Sequence, residues 1–273
     1  MKIACVQMNI AFGEPDKNFL AVEKYTKEAA KAGADVVVFP EMWNTGYALE
    51  QLADFADENG TRTKELLSRL TKQYGINIVG GSVATKRKGN YYNTMYVANR
   101  SGQMVAAYDK AHLFKLMDEH HFMTAGKRDN VFELDETTCG GIICYDLRFP
   151  EWTRTHVLKG AKIVFIPAEW PEPRIDHWQL LLQARAIENQ CYVVAVNRVG
   201  TDPNNKFNGH SMVIAPWGEL LISNKEQEGI FYAELDLEEV DKVRRKIPVF
   251  QDRRTDLYPT LNGLLTPTSR FRE

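Results

Sequence analysis

Short all-apolar runs alternate with amphipathic stretches along this chain, and the alternation is written twice. Gly33-Ala34-Asp35-Val36-Val37-Val38-Phe39-Pro40 recurs as Gly160-Ala161-Lys162-Ile163-Val164-Phe165-Ile166-Pro167. A run that is apolar at nearly every position and bounded by glycine and proline predicts a strand buried on both faces of a parallel sheet. Each copy follows an amphipathic helix, predicted over 17–31 and 151–159. Each of those helices follows another strand, predicted over 3–8 and 140–144. Downstream the match continues. A helix over 63–74 leads into a strand over 76–80. A helix over 177–189, apolar at Trp178, Leu181, Leu182 and Ile187, leads into a strand over 191–196. A hairpin then closes each half. Strands 92–98 and 104–108 turn through Asn99-Arg100-Ser101-Gly102, and strands 211–214 and 220–223 turn through Ala215-Pro216-Trp217-Gly218.

A repeat spaced by about 120 residues is far too long for a solenoid. It predicts an α/β fold of one domain with an internal pseudo-twofold. Two similar mixed sheets face each other and helices cover only their outer faces, giving a four-layer α-β-β-α sandwich. From about Glu238 the chain changes character. Val243-Arg244-Arg245-Lys246-Ile247-Pro248 and Asp252-Arg253-Arg254 carry charge with little periodicity. The expectation is a C-terminal extension that wraps the body or a partner subunit, with residues from about 260 to 273 loosely ordered.

Composition narrows the function. With 273 residues, 44% hydrophobic and 26% charged, the chain has ample material for a core, and its net charge of −2 makes no electrostatic case for nucleic acid or an anionic membrane. No apolar stretch reaches the roughly 20 residues of a membrane span. The apolar run at the N-terminus is too short for a signal peptide, so a cytoplasmic location is expected. The four cysteines form no disulfide framework. Cys5, Cys139 and Cys191 sit in or beside apolar runs and read as small core hydrophobes. No CxxC pair occurs, and His120 and His121 are adjacent without ligand spacing, so no metal is expected.

Cys144 is different. It ends the run Gly140-Gly141-Ile142-Ile143 and is followed at once by Tyr145-Asp146-Leu147-Arg148-Phe149-Pro150-Glu151. That places a thiol at the carboxyl edge of a sheet, where ligands gather in α/β folds. A nucleophile there needs a base and an oxyanion partner. Two other strand ends offer them: Glu41 after Val36–Pro40, and Lys110 after Val105-Ala106-Ala107-Tyr108-Asp109. Glu41 can serve as base to Cys144, while Lys110 and the Tyr145 backbone N–H stabilise the oxyanion. Each residue alone is more usually an ordinary strand-end charge or a buried thiol, and the signal lies in their joint occurrence at three strand ends.

Together these segments resemble the nitrilase, or carbon–nitrogen hydrolase, superfamily over nearly the whole chain. The resemblance rests on Phe39-Pro40-Glu41, Tyr108-Asp109-Lys110-Ala111-His112-Leu113-Phe114 and Gly141-Ile142-Ile143-Cys144-Tyr145-Asp146-Leu147-Arg148-Phe149-Pro150-Glu151. It implies a Glu–Lys–Cys triad, the α-β-β-α fold and homo-oligomers built from dimers. It also implies a second active-site glutamate, for which Glu119 fits, with Asp118 as the competing register. Trp170-Pro171-Glu172-Pro173-Arg174, with His177-Trp178-Gln179 following, resembles the omega-amidase branch. Such enzymes hydrolyse the terminal amide of 2-oxoglutaramate or 2-oxosuccinamate to the 2-oxo diacid and ammonia. A substrate carboxylate calls for a guanidinium. Arg174 is the first candidate and Arg148 the second, with an ion pair inside its own turn as the alternative for Arg148. Tyr47, Phe114 and Trp170 are candidates for the pocket wall or for plain packing.

Rival readings are an N-carbamoyl amidase, a nitrilase or another aliphatic amidase of the same fold, and a catalytically silent scaffold. No GxSxG elbow supports a serine hydrolase, and no GxGxxG follows the first strand to support a dinucleotide enzyme.

Overall fold

A computed structural model of the chain describes residues 1–223 and 226–258. The repeat appears as two sheets with matching connectivity. In the first, Lys2–Gln7, Val36–Val38 and Asn77–Val79 run parallel, and Asn90–Ala98 then pairs antiparallel with Asn77–Val79 and with Met104–Asp109. In the second, Thr137–Gly141, Ile163–Ala168 and Tyr192–Asn197 run parallel, followed by antiparallel Met212–Ile214 and Leu220–Ser223. Even the register corresponds: Ile3 pairs with Val36 and Val36 with Asn77, while Cys139 pairs with Ile163 and Ile163 with Tyr192.

Alternation along the strands sorts the side chains into layers. Ile3, Cys5, Val36, Val38, Val79 and Val97 of the first sheet share one core with Cys139, Ile163, Phe165 and Val194 of the second, so the sheets face each other. The opposite positions, Ala4, Val6, Val37, Phe39 and Ile78, pack instead against Phe19, Val22 and Tyr25 of helix Pro15–Lys31 and Leu66, Leu67 and Leu70 of helix Thr61–Tyr74. Leu67 is fully buried there. Leu67→Ala is expected to lower stability by about 2–5 kcal/mol, the usual cost of a core leucine, measurable by denaturant unfolding. Trp178, Leu182 and Ala186 of helix Ile175–Asn189 join Val157 of helix Pro150–Leu158 in covering the second sheet. The layers are α-β-β-α.

Three features depart from the sequence expectation. Gly229–Glu234 crosses back from the second half to pair antiparallel with Lys2–Gln7, tying the halves together. The first sheet gains two further strands, Val83–Arg87 and Asp57–Glu58. The charged segment after 236 is a helix, Leu237–Lys246, capped by the Asp236 side chain accepting from the Glu238 N–H. Its apolar residues Val240 and Val243 are buried, and Arg244 donates to the carbonyls of Ala161 and Gln190, so this segment is strapped onto the body. The expectation for 260–273 lies outside the described residues.

Candidate active site

Glu41 follows a strand that proline stops. Pro40 has no N–H to continue the ladder, and Met42 turns the chain with φ +48°. Ser82 fastens the turn: its N–H donates to the Pro40 carbonyl at 3.1 Å, and its hydroxyl accepts from the Met42 N–H at 3.0 Å. Gly81 makes this approach possible, since a Cβ there would lie 2.0 Å from the Pro40 carbonyl oxygen. The Glu41 carboxylate is fully buried. Its Oε1 accepts from Lys110 Nζ at 2.8 Å, Asn93 Nδ2 at 2.8 Å and the Tyr47 hydroxyl at 2.9 Å. Its Oε2 accepts from the Glu169 backbone N–H at 2.8 Å.

Lys110 is held just past the end of Met104–Asp109. Its N–H donates to the Asn93 carbonyl and its carbonyl accepts from Gly126. The ammonium is buried completely and donates to Glu41 Oε1 and Glu119 Oε2, each at 2.8 Å, and to the Tyr47 hydroxyl at 3.2 Å. Burial disfavours its charge, but Glu119 and Glu41 together outweigh that and hold its pKa above the usual lysine value.

Glu119 is the buried member of its acidic pair and Asp118 the exposed one. Asp118 takes φ +56° and turns Glu119 inward. Glu119 Oε2 accepts from the Phe114 N–H at 2.7 Å, and Oε1 accepts from Asn93 Nδ2 at 3.0 Å. Burial pushes its carboxyl above the normal range, against the pull of Lys110.

The strand before Cys144 ends earlier than its apolar run suggested, at Gly141. Cys144 opens a tight 3₁₀ turn, Cys144–Arg148, with φ +45°. Such a conformation is costly for a residue with a side chain and calls for bracing. Asp146, fully buried, supplies it. Its Oδ2 accepts from the Ile143 N–H at 2.9 Å and the Tyr108 hydroxyl at 2.7 Å, and its Oδ1 accepts from the His112 N–H at 2.9 Å. The Cys144 turn is thereby tied to the segment that carries Lys110. Burial first, and then the Glu41 charge and a hydrogen bond with Glu41, raise the Cys144 thiol well above its ordinary value, with Lys110 opposing. The thiol therefore rests protonated.

Cys144 lines a narrow cavity with Phe114, Tyr145, Arg148, Glu169, Trp170 and Arg174. Arg148 stands over the Trp170 ring at 4.8 Å and Arg174 over Phe114 at 5.4 Å. Neither is in an ion pair with a carboxylate among the described residues, so the intra-turn pair considered for Arg148 does not form. The Trp170 indole N–H donates to the Arg174 carbonyl at 2.7 Å. Tyr47 belongs to the Glu41–Lys110 cluster rather than to this wall. No group of three or more metal-ligating side chains converges among the described residues, and none of the described helices is long and apolar enough to cross a membrane.

Two participants escaped sequence reasoning. Asn93 bridges Glu41 and Glu119; it is a buried polar position in the hairpin strand Asn90–Ala98. Glu169, at the end of Ile163–Ala168, is the second repeat's counterpart of Glu41, displaced by one residue after its proline. It is fully buried and paired through Oε2 with Arg198 NH1 at 2.9 Å. Burial pushes its carboxyl up to about 8, against the pull of Arg198.

A buried thiol, carboxylate and ammonium converging between two facing α/β halves define a class of hydrolase. The chain belongs to the carbon–nitrogen hydrolase family, whose model matches residues 2–245. It is 51% identical to the 2-oxoglutaramate amidase of Bacillus subtilis (strain 168), over 94% of this chain and 98% of that one. It is 31% identical to the human omega-amidase NIT2, over 94% and 96%. Among solved structures it is similar to Nit3 of Saccharomyces cerevisiae, a member of branch 10 of the nitrilase superfamily. The TM-score is 0.87 at 28% identity, covering 93% of this chain and 96% of that one.

Proposed function

We propose that the protein is an omega-amidase that hydrolyses the terminal amide of a small 2-oxo acid, 2-oxoglutaramate or 2-oxosuccinamate, through a thioester on Cys144. One observation carries the mechanism: a fully buried ammonium shared at 2.8 Å by two carboxylates beside the thiol. Among the described residues one backbone N–H, that of Glu169, donates to Glu41 Oε2 against three donors on Oε1, so Oε2 is the oxygen with room for the thiol proton. Because the thiol rests protonated, proton transfer to Glu41 accompanies attack of sulfur on the amide carbon. The oxyanion is met by the Tyr145 N–H and by Lys110. The longest of the three Lys110 contacts, 3.2 Å to the Tyr47 hydroxyl, is the one that gives way. Glu41 then returns the proton to nitrogen, the C–N bond breaks and ammonia leaves. Water yields a proton to the same carboxylate, its oxygen attacks the thioester, the C–S bond breaks and the thiol is restored. Proton transfer of this kind contributes about 10²–10⁴ in rate, and one oxyanion donor about 10²–10³. Glu119 keeps Lys110 charged and in place.

The substrate assignment is supported by the relatives' activities and by the cavity. A 2-oxo acid presents a carboxylate and an adjoining carbonyl, and Arg174 and Arg148 offer two guanidiniums without protein carboxylates to satisfy. Arg174 takes the carboxylate, while Phe114 and Trp170 form the wall. Arg174→Ala is expected to raise KM for 2-oxoglutaramate by about 10- to 100-fold, the scale of a lost charge-assisted hydrogen bond. KM for a short neutral amide should barely change; equal effects on both would remove Arg174 from the role. The test of the function itself is ammonia release from a panel of 2-oxo acid amides, N-carbamoyl amino acids and nitriles. Rapid release from the 2-oxo acid amides is expected. Rapid release from a carbamoyl compound or a nitrile alone would overturn the substrate assignment.

The enzyme is further proposed to work in the cytoplasm as a single-domain homodimer or larger homo-oligomer. Support comes from Leu158, Leu180 and Ile187, exposed apolar residues on the two helices of the second half.

A further inference from the structure

Among the described residues, Glu169 is the one buried carboxylate lining the cavity whose side chain the mechanism above does not use. Its Oε2 is taken by Arg198, a fully buried guanidinium that also donates to the carbonyls of Ile10 and Val199. Its Oε1 is buried and has no hydrogen-bond partner among the described residues. An unpaired buried acceptor is expensive, and one beside a nucleophile calls for a ligand. Its place says which part of the ligand. The Glu169 N–H donates to Glu41 Oε2, the oxygen that handles the proton of the departing nitrogen. Glu169 therefore stands on the leaving-group side of Cys144, away from a carboxylate bound at the arginines.

We propose that Glu169 is a specificity-determining residue whose Oε1 accepts a hydrogen bond from the N–H of the scissile amide. It thereby selects amides over esters of the same acid. This rests on the amidase reading above. The chemistry is directional. A primary amide carries two N–H donors, one of which can reach Oε1 while the nitrogen lone pair turns toward Glu41 for protonation. An ester oxygen has no hydrogen to offer and leaves Oε1 unpaired, so the site penalises it. Arg198 sets the polarity by occupying Oε2, which fixes Oε1 as the free acceptor. Burial, and then the Glu41 and Asp202 charges, raise the carboxyl's proton affinity against the pull of Arg198; a substrate N–H at Oε1 supplies a donor that favours the anion.

Glu169→Gln tests this sharply. Arg198 can donate only to the carboxamide oxygen, so that oxygen takes the Oε2 place and the NH₂ takes the Oε1 place. An acceptor becomes a donor with little change in shape. The assay compares kcat/KM of wild-type and E169Q enzymes on 2-oxoglutaramate and on its omega-methyl ester, following ammonia and methanol release. We expect E169Q to lose about 10- to 100-fold on the amide, the scale of one charge-assisted hydrogen bond. On the ester it should change less than about threefold. The ester also reports on folding and on an intact Glu41–Lys110–Cys144 cluster. If E169Q does not accumulate as folded protein, Glu169→Asp decides in the same assay: it keeps a charge for Arg198 but withdraws the oxygens, and the same selective loss is expected. Equal losses on both substrates overturn the role of Glu169 and leave the amidase reading standing. A wild-type enzyme that releases no ammonia from the amide overturns both.

Discussion

Replacing Lys110 with methionine is expected to cost about 3–5 kcal/mol of stability as well as all measurable turnover, because two carboxylates are then buried without their cation. Glu41 and Glu119 both lie within 2.8 Å of Nζ and have no access to water. Without the ammonium one of them must take up a proton or the cluster must open. The companion variant separates the two effects. Lys110→Met combined with Glu119→Gln removes one positive and one negative charge, so the cluster keeps the net charge of the wild type. Denaturant unfolding should show that the double variant recovers most of the lost stability, a coupling of several kcal/mol in the cycle. Ammonia release should remain absent, since the oxyanion donor is still missing. Additive losses in stability would mean that the three groups are not the electrostatic unit described here.

Cys144→Ala is the second large expectation. Turnover should fall by about 10⁴-fold or more, as when the nucleophile of a covalent mechanism is deleted. Stability should move little, by about 1 kcal/mol, because only one small, uncharged buried atom is lost. The turn should survive. Its left-handed residue is fastened by Asp146 to the Ile143 N–H and to Tyr108, and none of those contacts involves the sulfur. A thermal melt alongside the ammonia assay checks both halves of this statement. A variant that unfolds would assign the thiol a structural part.

The layers and the strand ends were legible because they follow from periodicity, which is local. Val36–Val38 and Ile163–Ala168 announce themselves as buried parallel strands, and whatever follows their prolines lands at a sheet edge. What periodicity does not carry is which strand-end charges stay buried. Glu41 and Glu169 look alike in sequence; each is buried because of a cation far along the chain, Lys110 for one and Arg198 for the other. Pairing across layers is a tertiary fact, so nothing local in the sequence singles out Glu169. Glu119 came from family resemblance alone, and its physical reason is a single left-handed residue, Asp118, that turns it inward. Asn93 sits beside Thr94 in a strand that mixes polar and apolar residues, and only its contacts with Glu41 and Glu119, 52 and 26 residues away, set it apart. Gly229–Glu234 and its first-half counterpart Val131–Leu134 each pair antiparallel with the first strand of the other half, Lys2–Gln7 and Thr137–Gly141, and pairing between halves is not carried by local periodicity.

The fully buried cluster also explains why the thiol can be a good nucleophile without a low pKa. In the proposed mechanism the carboxylate that, after burial, raises the thiol's pKa is also the base that takes its proton once a carbonyl is in place. Free thiolate, which oxidises and alkylates readily, is thereby avoided between turnovers.

The most direct measurement is peptide mapping by mass spectrometry of reactions with 2-oxoglutaramate, quenched in acid within milliseconds to seconds. The mechanism predicts an adduct equal to the substrate less ammonia, confined to the peptide that carries Cys144 and absent from Cys144→Ala. Steady ammonia release with no adduct on that peptide at any quench time, or with turnover retained in Cys144→Ala, would contradict it.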